Sequence, residues 1–276
     1  MSLDAAVVAH YGQGDLLERI ETALRAAGKD PARPAVDDLA GVDEFHARGR
    51  EATIELAQWL PPALDGELLD IGSGLGGPAR FLAASRGYRV VGVDLTPEYV
   101  AVANELSRRC GLGDQVRFLA GNALDLPFAA ASFQAAYTQH VAMNIADKAG
   151  LYAEAARVLR PGGTVVIYDI LQGPGGAVRY PTPWSADGST SFLLDLAAMK
   201  EQLAAAGFAV LDERERRAES VAWFEARAAA AASGTLPPLG VHLLLGTVFR
   251  EAFANLLANL KDGRVIPTYL RAVRLP

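Results

Sequence analysis

The stretch Leu68-Leu69-Asp70-Ile71-Gly72-Ser73-Gly74-Leu75-Gly76-Gly77-Pro78-Ala79-Arg80-Phe81 decides how the rest of the chain reads. An apolar run ends at Asp70, a glycine-rich turn follows, and Pro78 stands in the first turn of a helix, where no N–H is needed. Strand, turn and helix in that order make the first unit of an open α/β sheet, and the glycines let the backbone approach a ligand at the carboxyl edge. Gly72-x-Gly74-x-x-Gly77 also satisfies the dinucleotide fingerprint, with Asp94 at about the right distance for a ribose contact. Asp70 separates the two readings. A carboxylate just ahead of the first glycine repels a pyrophosphate and attracts a ligand that carries positive charge, which disfavours a nicotinamide-dependent oxidoreductase.

Outward from this unit, short β-branched runs alternate with helical stretches, the signature of a parallel sheet covered by helices. Strands are expected near 66–71, 88–94, 116–120, 133–138, 163–170, 208–215 and 265–273. Thr96 is placed to cap a helix opened by Pro97, and Gly87, Gly111 and Gly207 to close helices. Arg160-Pro161-Gly162-Gly163 reads as a turn before the buried strand Thr164-Val165-Val166-Ile167-Tyr168. The layout predicts a helical lid over 1–60, a core over 61–216 and a helical cap with the final strand over 217–276, all in one continuous domain.

The chain has 276 residues, 51% hydrophobic and 21% charged, which excludes a mainly disordered or fibrous protein. With 26 basic against 32 acidic residues, the net charge of -6 leaves no broad cationic surface for phosphate backbones, so nucleic acid is not expected as a partner. Cys110 is the sole cysteine, which excludes an internal disulfide and a cysteine zinc cluster; no metal is expected. The amino terminus lacks a basic stretch leading into an apolar one, and no later segment reads as a membrane span of about 20 residues. A soluble cytoplasmic protein without a membrane partner is the expectation.

S-adenosylmethionine carries both an ammonium and a sulfonium, and an acid followed by Gly-x-Gly-x-Gly resembles the first motif of the class I S-adenosylmethionine-dependent methyltransferases. Three later segments resemble that family in order and spacing. Val90-Val91-Gly92-Val93-Asp94-Leu95 ends in the acid that the family uses for the ribose hydroxyls. Arg117 to Phe128 resembles the adenine-contacting segment, with Asn122 where an acid is common and Ala123 beside it. Ser132 to Val141 matches the fourth strand and the loop facing the sulfonium. The resemblance implies a Rossmann-like, seven-stranded, mostly parallel sheet with helices on both faces, an antiparallel last strand and helical cap insertions. It implies S-adenosyl-L-methionine as cofactor, held by Arg50, Asp70, Gly72, Ser73, Gly74, Asp94, Leu95, Asn122, Ala123 and Gln139.

Within the family, the segments Asp43 to Thr53, Thr138 to Ile145 and Tyr180 to Trp184 resemble the small-molecule branch, which holds sarcosine and dimethylglycine N-methyltransferases and enzymes of bacterial natural products. Methyl transfer from a sulfonium requires alignment, exclusion of water and sometimes a base. His140, after the fourth strand, is the candidate base; the alternative is a backbone contact to the cofactor. Tyr11, in a segment resembling a mobile aromatic closure, orients the acceptor or packs over the cofactor. His46 and Arg50 approach the methionine carboxylate or merely start a surface helix. Met143, Tyr180, Trp184, Trp223 and His242 are the expected acceptor pocket, built by insertions at 171–195 and 217–262, and their aromatic content favours an apolar or aromatic metabolite. A non-catalytic S-adenosylmethionine-binding protein is the alternative of a different class. A homodimer through the apolar stretch Leu236 to Phe249 is open as well.

Overall fold

The computed structural model describes residues 2–12, 14–232 and 237–276. Seven strands make one sheet: β1 (Glu67–Ile71), β2 (Arg89–Asp94), β3 (Val116–Ala120), β4 (Phe133–Gln139), β5 (Leu159–Gln172), β6 (Phe208–Glu215) and β7 (Val265–Arg274). Their order is β3-β2-β1-β4-β5-β7-β6, with β1 to β5 parallel and β7 antiparallel to both β5 and β6. The chain leaves β1 toward β2 and β3, then returns to its other side at β4. The crevice outside the carboxyl ends of β1 and β4 is therefore the switch point at which such sheets bind ligands.

The central strands are apolar on both sides, as burial beneath two helical layers requires. Leu68 and Val90 pack toward α4 (Arg50–Trp59), α5 (Gly77–Arg86) and α6 (Pro97–Arg109), while Leu69, Val91 and Val93 face α7 (Lys148–Val158) and α8 (Leu196–Ala205). A third cluster joins α2 (Leu16–Ala26) and α3 (Val36–Asp43) to the outer side of α6 through Ile20, Leu24, Leu39, Tyr99 and Leu106. α1 (Leu3–Tyr11) has no buried residue and lies across the carboxyl edge. α9 (Arg217–Ala232), α10 (His242–Leu245) and α11 (Phe249–Lys261) form the cap.

Several sequence expectations change in detail. Thr96 occupies the cap position of α6, but its side chain accepts no hydrogen bond there; Asp94 Oδ1 accepts from the Thr96 N–H instead, at 2.9 Å. Arg160 to Gly163 lie inside β5, whose pairing with β4 skips from Phe133–Leu159 to Ala135–Thr164, so the turn chemistry of Pro161 and Gly162 makes an irregularity at the start of the strand. The cap is not one helical run but breaks between α9 and α10. His242–Lys261 is, contrary to expectation, long and apolar enough to cross a membrane by length and composition alone. In the fold it bends at Gly246, where φ is 56°, and turns Leu244, Leu256 and Leu260 inward. Leu239 and Leu244 pack with α2 and α3, so part of the apolar stretch weighed above as a dimer surface is covered within the chain; Leu236 lies outside the described residues.

Candidate active site

A cavity of about 1160 Å³ runs from the glycine turn to the cap. The turn is shaped by its neighbours. The N–H groups of Gly72 and Ser73 both donate to Val93 O, at 2.8 and 3.0 Å, which folds the turn back over β2. At Gly72, φ is 78° and a Cβ would lie 2.3 Å from Val141, so only glycine fits. At Gly74 the same atom would meet nothing, because the backbone opens into the cavity.

Two carboxyl groups flank this turn. Asp94 Oδ2 accepts from Gly74 N–H at 2.8 Å, while Oδ1 holds Thr96 N–H, which leaves each oxygen a further lone pair toward the cavity. Asp70 lies beneath the turn, 2% exposed, and accepts from the Tyr137 hydroxyl at 2.7 Å. Burial raises the Asp70 carboxyl to about 8, with the charges of Asp94 and Glu44 adding to the effect. The free protein therefore holds Asp70 protonated at pH 7, and a cationic ligand that favours the carboxylate must displace that proton. Calorimetric titration with S-adenosylmethionine at pH 6.5 in buffers of different ionisation enthalpy is expected to show release of about one proton, with affinity rising toward pH 8. Asp70→Asn should abolish the release, and pH-independent binding by the native chain would contradict the assignment.

Several buried polar atoms along this end have no hydrogen-bond partner: Ser73 Oγ and both amide atoms of Gln139 in the cavity wall, with Thr138 Oγ1 behind. Buried polar atoms are normally satisfied, so their coincidence here fits a polar ligand such as the cofactor. His140 follows β4 with φ at 55°, its N–H donating to Tyr168 O at 2.7 Å, and its Nε2 is likewise unpartnered. Burial, with neighbouring His46 adding to it, holds this imidazole well below its ordinary range and hence neutral.

Leu95, Asn122 and Ala123 also line the cavity; Asn122 Nδ2 donates to Asp4 of α1 at 3.0 Å. Tyr11 also lines the cavity, its hydroxyl donating to Asn144 Oδ1 at 3.0 Å. Asn144 in turn donates to the carbonyls of Trp184 and Thr190, both at 2.8 Å, so α1 is coupled to the first insertion. Arg50 lines the wall, but its guanidinium donates to Glu44 Oε1 at 2.5 Å and to Asp37 Oδ1 at 2.7 Å. Met143, Trp184, Trp223 and His242 border the distal half with Phe224, Phe249 and Phe253. Tyr180 is not among the lining residues, because its ring packs over Gly188, where even a Cβ would come within 2.8 Å of it. Sequence reasoning missed Glu44 and Asn144 as individual residues, although both fall in segments it singled out. Among the described residues, no cluster of His, Cys, Asp and Glu has the makings of a metal site.

Known proteins resemble this chain in sequence and in fold. Residues 69–167 match the family model of the methyltransferase domain. The chain is 32% identical over 159 residues to methyltransferase GfsG of Streptomyces halstedii, covering 57% of each chain. It is 38% identical over 126 residues to the erythromycin 3''-O-methyltransferase of Saccharopolyspora erythraea, covering 44% of this chain and 41% of that one. The match thus spans well under two thirds of these curated relatives. Geranyl diphosphate C-methyltransferase from Streptomyces coelicolor A3(2) has the same fold, with a TM-score of 0.72 at 19% identity over 100% of this chain and 98% of that one. Residues 69–167 carry a methyltransferase domain, and around it the chain has the fold of the class I S-adenosylmethionine-dependent methyltransferases.

Proposed function

We propose that this chain transfers a methyl group from S-adenosyl-L-methionine to a small, largely apolar acceptor of the natural-product kind. One observation carries the reading: a single cavity has a polar end, where Asp70, Asp94 and the unpartnered Gln139 surround the glycine turn, and an apolar end walled by Trp223, Phe224, Phe249 and Phe253. The cofactor, when bound, supplies an electrophilic methyl on a cationic sulfur. Asp70 answers the ammonium charge, Asp94 the ribose hydroxyls, and Asn122 with Ala123 the adenine. Tyr11 and α1 exclude water from the junction of the two ends. His140 lines that junction as a neutral imidazole and positions the substrate against the methyl group. Similarity to an erythromycin methyltransferase supports a natural-product acceptor, with attack through oxygen, nitrogen or carbon.

The direct test is incubation with deuteromethyl S-adenosylmethionine and a pool of amines, phenols, indoles and glycosides, followed by mass spectrometry. A labelled product names the acceptor and the atom attacked; tight cofactor binding with no labelled product across a broad pool would favour the non-catalytic alternative. With an acceptor in hand, His140→Ala is expected to lower kcat about tenfold to thirtyfold while cofactor affinity stays within about threefold. An unchanged kcat would remove His140 from the reaction.

A further inference from the structure

We infer that His46, oriented by Glu44, takes the proton that the acceptor loses, an assignment that rests on the methyltransferase reading above. Both residues lie in the connection between α3 and α4, and both are buried. The Glu44 side chain has no exposure; Oε1 accepts from Arg50 Nε at 2.5 Å, and Oε2 from Thr53 Oγ1 at 2.5 Å and from His46 Nε2 at 2.9 Å. Burial alone would raise this carboxyl, but the hydrogen bonds and positive charge around it bring it below its ordinary range. An ionised carboxylate only accepts, so the imidazole nitrogen that faces it, Nε2, carries the proton. Nδ1 is then left with its lone pair. That atom is buried without a partner, on a residue that lines the cavity together with Gln139 and His140.

The His46 and His140 rings meet edge-on with centroids 6.0 Å apart, so both imidazoles serve the same stretch of wall. They differ in what stands behind them. A proton on His140 meets burial and a neighbouring imidazole; a proton on His46 meets the Glu44 carboxylate, the arrangement that stabilises an imidazolium in carboxylate–histidine pairs. The step balances: the acceptor atom bonds to the methyl carbon, the carbon–sulfur pair stays on sulfur, and the acceptor's proton goes to His46 Nδ1. The positive charge that leaves sulfur reappears on the imidazole held by Glu44, so the buried charge stays compensated. The other ionisable groups around this pair are Arg50, Asp43, Asp70 and Tyr137, which act on or feel Glu44, together with His140 beside the His46 ring and Tyr168, whose ring lies 6.3 Å from it.

The test joins two measurements. Long-range proton–nitrogen correlation on the ¹⁵N-labelled full chain, assigned by single histidine variants, should show the Nε2–H tautomer at His46. With the acceptor found by deuteromethyl labelling, His46→Gln should lower kcat about 100-fold with cofactor affinity held within about threefold. Glu44→Gln should lower kcat about tenfold, again with cofactor affinity held within about threefold. An Nδ1–H tautomer in the native chain, turnover by His46→Gln at the native rate, or a matching loss of cofactor affinity in that variant would each overturn the assignment. Failure of the native chain to bind S-adenosylmethionine would overturn the reading beneath it instead, and the two failures are told apart because the tautomer is read without cofactor.

Discussion

Asp94→Ala is expected to weaken binding of S-adenosylmethionine about 500-fold, on the order of 3–4 kcal/mol, as measured by isothermal titration calorimetry. Two losses combine. The carboxylate is the group available to two vicinal hydroxyls of a ribose, and charge-assisted hydrogen bonds of that kind contribute about 1.5–3 kcal/mol each. The same carboxylate also holds the N–H groups of Gly74 and Thr96, at 2.8 and 2.9 Å, so its removal frees the glycine turn from the start of α6. Asp94→Asn separates the two contributions: the amide keeps one accepting oxygen for the backbone but loses the charge, and an intermediate loss is expected. Binding by Asp94→Ala within about fivefold of native would mean that the ribose lies elsewhere, and the placement of the cofactor along β2 would fail with it.

How much of this was legible in the chain depends on the range over which each feature is determined. Asp70, the glycine turn and Asp94 are local: strand, breaker and helix signals sit side by side, and the charge of Asp70 picks the ligand before any contact is known. The strands are equally local, since β-branched runs between turn residues need only their own neighbours. Side-chain partnerships across long separations leave no such trace. Tyr11 reaches Asn144, 133 positions away, and Asn122 reaches Asp4, 118 positions away, and nothing in either neighbourhood announces the other. The pairing of Glu44 with His46 is close in sequence yet was missed, because its meaning lies in burial. On an exposed helix start the same residues would be solvated, as would Arg50, whose two acidic partners the sequence did not reveal. Tyr180 fails for a related reason: an aromatic in an insertion reads as pocket lining, whereas Gly188 supplies the space for it to pack away from the cavity.

Arg80→Met is expected to destabilise the fold by about 3–5 kcal/mol in urea denaturation, a large share of the stability of a domain this size. Arg80 and Asp43 have no side-chain exposure, and the guanidinium donates to Asp43 Oδ2 at 2.8 Å. It also donates to Leu75 O at 2.5 Å in the glycine turn, and to Ala103 O at 3.2 Å and Ser107 Oγ at 3.1 Å in α6. One side chain thus joins α3, the turn and α6. Methionine fills much of the same volume, so the loss is one of charge and hydrogen bonding rather than of packing, and it leaves the Asp43 carboxyl buried without its partner. Gly77 makes that contact close, since a Cβ there would lie 2.3 Å from Asp43 O. Adding Asp43→Leu to Arg80→Met should restore most of the stability, because replacing both charges removes the desolvation penalty that replacing one exposes. If the single variant loses less than about 1 kcal/mol, the pair is not what holds α3 to the turn. If the double variant regains stability but binds S-adenosylmethionine more weakly, the arginine also sets the shape of the glycine turn, since Leu75 O would then lack the donor that fixes it from below.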